Sequence, residues 1–353
     1  MCKFVFLADM KHLLTSIALA LLPLAALAQT SVKFDGREKG LSYPDVEILI
    51  DEPDTLIKGN RTEIILYALP NGTLIEWTVG KKVQPGDDWH FDVHHIAAQT
   101  AFLRAQDKKC NYVTIYLKTR QKAWNNWHRQ HTDISRETYD RLFADVAALY
   151  ADYNPSITVS SHSGGGYLIF NYLCSTDNVN PAIKRFVFLD SIYGYRTEDH
   201  LEKLAGWLRD RSHSLSVIAY EDATVIFRGK PLVTPQGGGW GRSHQMVDDL
   251  GQIFRIRESI KEVKDGSDTE PEIGGSYRKL SEETDGSTNA VMECYRGLGG
   301  RISFKLLRNP EGLIWHLVLV EKNGFIDSAL TGTRLEGRGY QFWGPRAYSE
   351  YIK

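Results

Sequence analysis

Residues 161–166 read Ser-His-Ser-Gly-Gly-Gly and lie between two apolar runs. Ile157-Thr158-Val159-Ser160 ahead of them is short and β-branched, as a buried strand is. Tyr167 to Leu173 behind them fits the first turns of a buried helix. A strand that bends straight into a helix leaves little room at the bend. The residues two before and two after its tip must then be small. Ser161 and Gly165 meet that demand around Ser163. Glycine also reaches backbone angles that are costly for other residues. The stretch therefore has the local plan of a nucleophile elbow, with Ser163 at the tip. The plainer alternative is a glycine-rich turn opening a helix, which can bind an anion.

The start of the chain carries a second signal. Lys3 and Lys11 precede an apolar run from Leu13 to Ala28, broken only by Thr15, Ser16 and Pro23. Ala26-Leu27-Ala28 has the small-x-small form of a cleavage site. Residues 1–28 are thus expected to be a removed secretory signal, cut after Ala28, which predicts a secreted or periplasmic protein. The run is short for a membrane span, and no stable membrane anchor is expected. Residues 29–353 are expected to form a single domain with an irregular insertion around 223–300. A formal net charge of −2 gives no electrostatic reason to bind nucleic acid. Beyond the signal, Cys110, Cys174 and Cys294 form no Cys-x-x-Cys pair and allow one internal disulfide at most. Cys110 and Cys174 adjoin apolar segments and are expected to be buried free thiols.

Strand-like and helix-like segments alternate. Val46 to Ile50, Glu63 to Ala68, Tyr112 to Leu117, Arg185 to Asp190, Leu215 to Tyr220 and Ile302 to Leu307 read as strands. Phe91 to Arg104, Ser135 to Tyr150 and Glu198 to Asp210 read as helices. His316 to Leu330 fits a helix, or a hairpin strand at Leu317 to Val320. The stretch Ala223 to Tyr277, with Gly237 to Gly241 inside it, reads as irregular decoration. Such alternation predicts an α/β fold, a largely parallel sheet with helices on both faces.

A serine hydroxyl needs a base within hydrogen-bond reach, and the base needs an orienting carboxylate. On a parallel sheet both partners are expected just beyond strand ends, in the order serine, acid, histidine. Asp190 closes the first strand after the elbow helix and is the favoured acid; Glu221 and Asp222 after the next strand are the rivals. His316 follows the last confident strand by a short loop and is the favoured base, with His244 the alternative. The oxyanion needs two amide donors. One is Gly164, the residue after the tip; the other is Asn71 or Gly72 in the Pro70-Asn71-Gly72 turn after an early strand.

This pattern resembles the α/β-hydrolase superfamily. The resemblance rests on Ser161-His162-Ser163-Gly164-Gly165, on Asp190 and His316 in that order, and on the alternation of elements across about residues 45–335. It implies a mostly parallel sheet of about eight strands and acyl-enzyme chemistry. Ser161 in place of the usual first glycine, and the lack of a His-Gly-Gly-Gly motif, are departures. The expected activity is hydrolysis of an ester or amide bond in a small molecule or peptide, without a cofactor. The alternatives are a peptidase or amidase of cell-envelope material and a non-catalytic binding protein on the same fold.

His90 and His94 stand four residues apart, a spacing that suits a metal on a helix, but no glutamate follows His90 and no metal is expected. Trp89, His95, His162 and Tyr193 are the expected substrate contacts. Trp124, Trp127, Trp240, Trp315 and Tyr195 also fall near predicted loops or strand ends, where they suit either ligand contact or core packing.

Overall fold

A computed structural model describes residues 31–353 apart from 228, 235 and 264–289. The segment read as a signal, and part of the expected insertion, lie outside the described residues. Ten strands form one sheet in the order β1-β2-β4-β3-β5-β6-β7-β12-β11-β10. In chain order these are β1 (Ser31–Asp35), β2 (Val46–Pro53), β3 (Arg61–Ala68), β4 (Cys110–Thr119), β5 (Pro155–His162), β6 (Ile183–Leu189) and β7 (Ser214–Tyr220). The last three are β10 (Ile256–Val263), β11 (Ala290–Gly297) and β12 (Ile302–Leu307). The run β4-β3-β5-β6-β7-β12 is parallel throughout. The flanking strands β1, β2, β11 and β10 pair antiparallel.

The parallel strands are rich in apolar and β-branched residues because both faces are covered. Strand side chains alternate in direction, so each strand feeds two cores. Ile64, Leu66, Ile157, Val159, Phe186, Phe188, Val217 and Phe304 fill one. That face is covered by α3 (Trp124–Gln130), α4 (Ser135–Leu149), α5 (Gly166–Ser175), α6 (Thr197–Leu208) and α7 (Gly238–Gly251). Ile65, Tyr67, Tyr116, Val187, Leu189, Ile218 and Tyr220 fill the other, beneath α2 (Ile96–Gln106), α8 (His316–Leu319) and α9 (Phe325–Leu330). A single-turn helix, α1 (Ile75–Val79), follows the turn after β3.

Several expectations change. The sheet has ten strands of mixed orientation rather than about eight. The extra ones are the outer strands, whose half-polar sequences carry little apolar signal. β10 is mostly exposed and bears Arg257, Glu258, Lys261 and Glu262, the charged dressing of a sheet edge. The helix expected from Phe91 begins only at Ile96, because His95 adopts a left-handed φ of 45°. Ahead of it, Trp89–Asp92 forms a 3-10 turn capped by Asp88. His316 to Leu330 is two short helices joined by a π turn, with Asn323 left-handed at φ 67°. Gly238 opens α7 rather than lying in a loop. Between β7 and α7 stands a small hairpin, β8 (Ile226–Phe227) with β9 (Lys230–Pro231).

Trp124 and Trp127 are core residues of α3, and Tyr195 is buried with its hydroxyl on Asp249. All three described cysteines are free; Cys174 is exposed, not buried, and its Sγ lies 3.3 Å from His200 Nε2.

Candidate active site

β5 ends at His162, the 3-10 turn Ser163–Gly165 follows, and α5 starts at Gly166. Ser163 sits at the tip with φ of 52°, a region that costs a non-glycine residue about 1–3 kcal/mol and persists only where its surroundings enforce it. Those surroundings are identifiable. A Cβ on Gly165 would overlap the Ala68 carbonyl oxygen at the end of β3, and one on Gly166 would overlap the Ser191 carbonyl oxygen. The small-residue rule therefore arises from strand ends pressed against the bend. Ser161, the departure from the expected glycine, has a partner for its hydroxyl. It donates to the Val187 carbonyl at 3.0 Å and meets the Ser191 hydroxyl at 2.7 Å. That bond ties the elbow to the loop following Asp190.

The turn after β3 reaches the other side of the elbow. The Asn71 side chain occupies the space where a Cβ on Gly164 would stand. Gly72 donates its amide to the Lys122 carbonyl at 2.8 Å, so it is not free to hold an oxyanion. Asn71 remains as the candidate second donor beside Gly164. The amino end of α5, directly behind the tip, adds the positive end of a helix dipole.

The carboxylates divide by task. Asp190 is fully buried at φ 42°; Oδ2 accepts the Tyr193 hydroxyl at 2.7 Å and Oδ1 has no partner among the described residues. Burial, and then the charge of Asp222, push its pKa well above the usual carboxylate value. Asp222 accepts the Gly239 amide at 2.6 Å and so holds the start of α7; burial raises its pKa too. Glu221 accepts the Asn309 amide at 2.9 Å, and Thr224 donates to the Asn309 carbonyl at 2.6 Å. Asn309 in turn brackets Ile314 through both its amide atoms. Glu221 is thus a clamp on the loop that delivers His316. Tyr193, an expected substrate contact, donates its hydroxyl to Asp190.

His316 opens α8 with its ring centroid 5.3 Å from that of His162, the residue before the tip. Base and nucleophile candidates therefore share one end of the sheet. Burial lowers the His316 pKa to about 4, which keeps the ring neutral. No hydrogen bond joins its ring to a carboxylate among the described residues. His244 is occupied elsewhere: its Nε2 pairs with Glu293 at 2.9 Å and its Nδ1 with the Trp240 carbonyl at 3.1 Å.

The sequence offered no signal for a pair of buried imidazoles behind the tip. His94 Nε2 lies 3.2 Å from His162 Nδ1, and the remaining nitrogen of each ring is buried without a partner among the described residues. His162 has no exposed surface and His95 almost none, so neither is a substrate contact. His95 bonds Asp92 at 2.7 Å, and Arg346 bonds both Asp92, at 2.7 Å, and Glu321, at 2.9 Å. Trp77 and Trp89 both stack on the His90 ring. His90 and His94 thus serve separate partners instead of sharing one.

Burial, then the charges of neighbouring histidines, lower the His94 pKa to about 3. An unfolded histidine takes up its proton near pH 6.5, but folded His94 resists until about pH 3. Its contribution is present above pH 6.5 and is lost as the pH falls toward 3, on the order of 3 kcal/mol by pH 4. Urea unfolding at pH 7 and pH 4.5 is expected to show that loss, and a smaller one in His94→Phe. Equal losses in the two proteins would clear His94 of the effect.

A mostly parallel sheet covered on both faces, with a serine elbow between a central strand and its helix, defines the α/β-hydrolase fold. No family model and no curated protein sequence matches the chain. Solved structures overlap it in part. A cold-adapted esterase from an Arctic intertidal metagenomic library is 14% identical with a TM-score of 0.31, over 58% of this chain and 73% of the other. A thermostable esterase is 15% identical with a TM-score of 0.36, over 64% and 52%. LpqC, a poly(3-hydroxybutyrate) depolymerase from Bordetella parapertussis, is 11% identical with a TM-score of 0.36, over 64% and 77%. Overlaps this partial carry nothing about what this chain does.

Proposed function

We propose that the protein is a serine hydrolase that cleaves an ester or amide bond through an acyl-enzyme on Ser163. The observation that carries this reading is the backbone of Ser163, held left-handed at the head of α5 by strand ends that touch Gly165 and Gly166. Such strain is retained where it presents a side chain for chemistry. Ser163 attacks the carbonyl carbon, neutral His316 accepts its proton, and the Gly164 and Asn71 amides hold the oxyanion. His316 then returns the proton to the leaving group, and water releases the acyl group by the same route. Asp190 is the favoured partner of the imidazolium, with Asp222 the alternative. The apolar run ahead of Gln29 supports action outside the cytoplasm.

A fluorophosphonate probe tests the reading. Covalent labelling of the wild type, absent in Ser163→Ala, is the expected result; an unlabelled, folded wild type overturns it. The second reading is a non-catalytic binding protein on the same fold. It is favoured by one observation, that the His316 ring meets no carboxylate among the described residues. Absence of labelling would support it.

A further inference from the structure

Seven large apolar side chains stand exposed among the described residues, and three of them fall within the single stretch Ile226 to Leu232. Ile226 is 59% exposed, Phe227 46% and Leu232 38%. They belong to the β8–β9 hairpin, whose base is fixed. The Leu232 amide donates to the Val225 carbonyl at 2.9 Å, Val225 is buried, and its own amide donates to the Asp222 carbonyl at 3.2 Å. The hairpin is therefore rooted beside the Asp222 turn and turns an apolar surface outward. It also reaches the base loop, for the Phe227 ring meets the Trp315 indole edge-on at 6.1 Å, and Trp315 directly precedes His316. Apolar surface concentrated at one place and continuous with a polar constellation is the composition of a ligand site.

We propose that Ile226, Phe227, Leu232 and Trp315 form an apolar lip that binds the acyl chain of an ester substrate. This rests on the hydrolase reading and adds a substrate class to it. On this proposal the acyl chain leaves the carbonyl held at Ser163 on the His316 side and follows Trp315 onto the hairpin that Trp315 touches. An octanoyl group offers such a lip far more apolar surface than an acetyl group does. Water is displaced from both surfaces on binding, which favours the longer chain.

The experiment compares p-nitrophenyl acetate and p-nitrophenyl octanoate, the latter below its aggregation concentration. The wild type is expected to favour octanoate in kcat/KM by about tenfold or more, and the double variant Ile226→Ser/Phe227→Ser to lower that octanoate-to-acetate ratio by about tenfold. The inference is overturned by a wild type that hydrolyses acetate through Ser163 yet shows no preference for octanoate; the hydrolase reading survives that outcome. It is also overturned if the ratio is unchanged in the variant. A preference that arises only above the aggregation concentration makes the hairpin a lipid-surface contact instead, and overturns the acyl assignment. If neither ester nor the fluorophosphonate reacts, both readings fall together. The wild-type comparison needs no substitution and so does not depend on the folding of a variant.

Discussion

His316→Ala is expected to lower turnover of a cleaved substrate by about 10⁴-fold or more, with little change in unfolding midpoint. A serine hydroxyl is almost never ionised at neutral pH, so without a base the attack on the carbonyl stalls. Members of such a catalytic unit are strongly non-additive, and removing His316 from Ser163→Ala should add little further loss. In the proposed mechanism the imidazole works as a free base, and burial lowers its pKa to about 4. The wild-type rate is therefore expected to rise with pH through about 4 and to stay level across neutrality. Steady-state kinetics between pH 3.5 and 8 check this. A limb centred near pH 6.5, or an H316A variant of undiminished rate, removes His316 from the role.

Gly166→Ala is expected to destabilise the fold by about 3 kcal/mol or more, and to reduce the yield of folded protein. The added methyl would overlap the Ser191 carbonyl oxygen, which is backbone and cannot swing aside as a side-chain tip can. Ser191 is itself held by the Ser161 hydroxyl, so relief would have to move the loop that carries Asp190. Gly206→Ala supplies the opposite sign. Gly206 lies in α6, and a Cβ there meets nothing within 4 Å. Alanine loses less backbone freedom than glycine when a helix forms, and a gain of about 0.5–1 kcal/mol is expected. Urea unfolding of the two variants beside the wild type measures both. If G166A unfolds at the wild-type midpoint, the close packing described at the elbow does not constrain the bend.

The parallel strands were legible because both of their faces are buried, so β3, β4, β5, β6, β7 and β12 each carry a short, mostly apolar or β-branched stretch. The elbow was legible for the same steric reason that shapes it, since crowding by Ala68 and Ser191 admits only small residues at Gly165 and Gly166. The outer strands were not legible. β1 and β10 bury one end or one face at most, and their apolar content is diluted by charge. The break before α2 depends on His95 packing against Gly80, a contact between residues fifteen apart that periodicity does not register. Asp222 and Glu221 stand after β7, where the sequence makes them rival acids. Their actual partners are the Gly239 amide and the Asn309 amide. Both partners come from segments that approach only once the chain has folded. The His94–His162 contact spans 68 positions and is equally silent in the sequence.

Arg346 ties the carboxy-terminal segment to the loop behind the elbow. Its guanidinium holds Asp92, which holds His95, next to the His94 that lies against the elbow. Asn323 reinforces the same segment by binding the Gln341 and Pro345 carbonyls and the Ala347 amide. During synthesis residues 341–347 emerge long after β5 and α5. The loop behind the elbow stays without its anchor until they do, so a growing chain carries Ser163 well before it carries the frame around it.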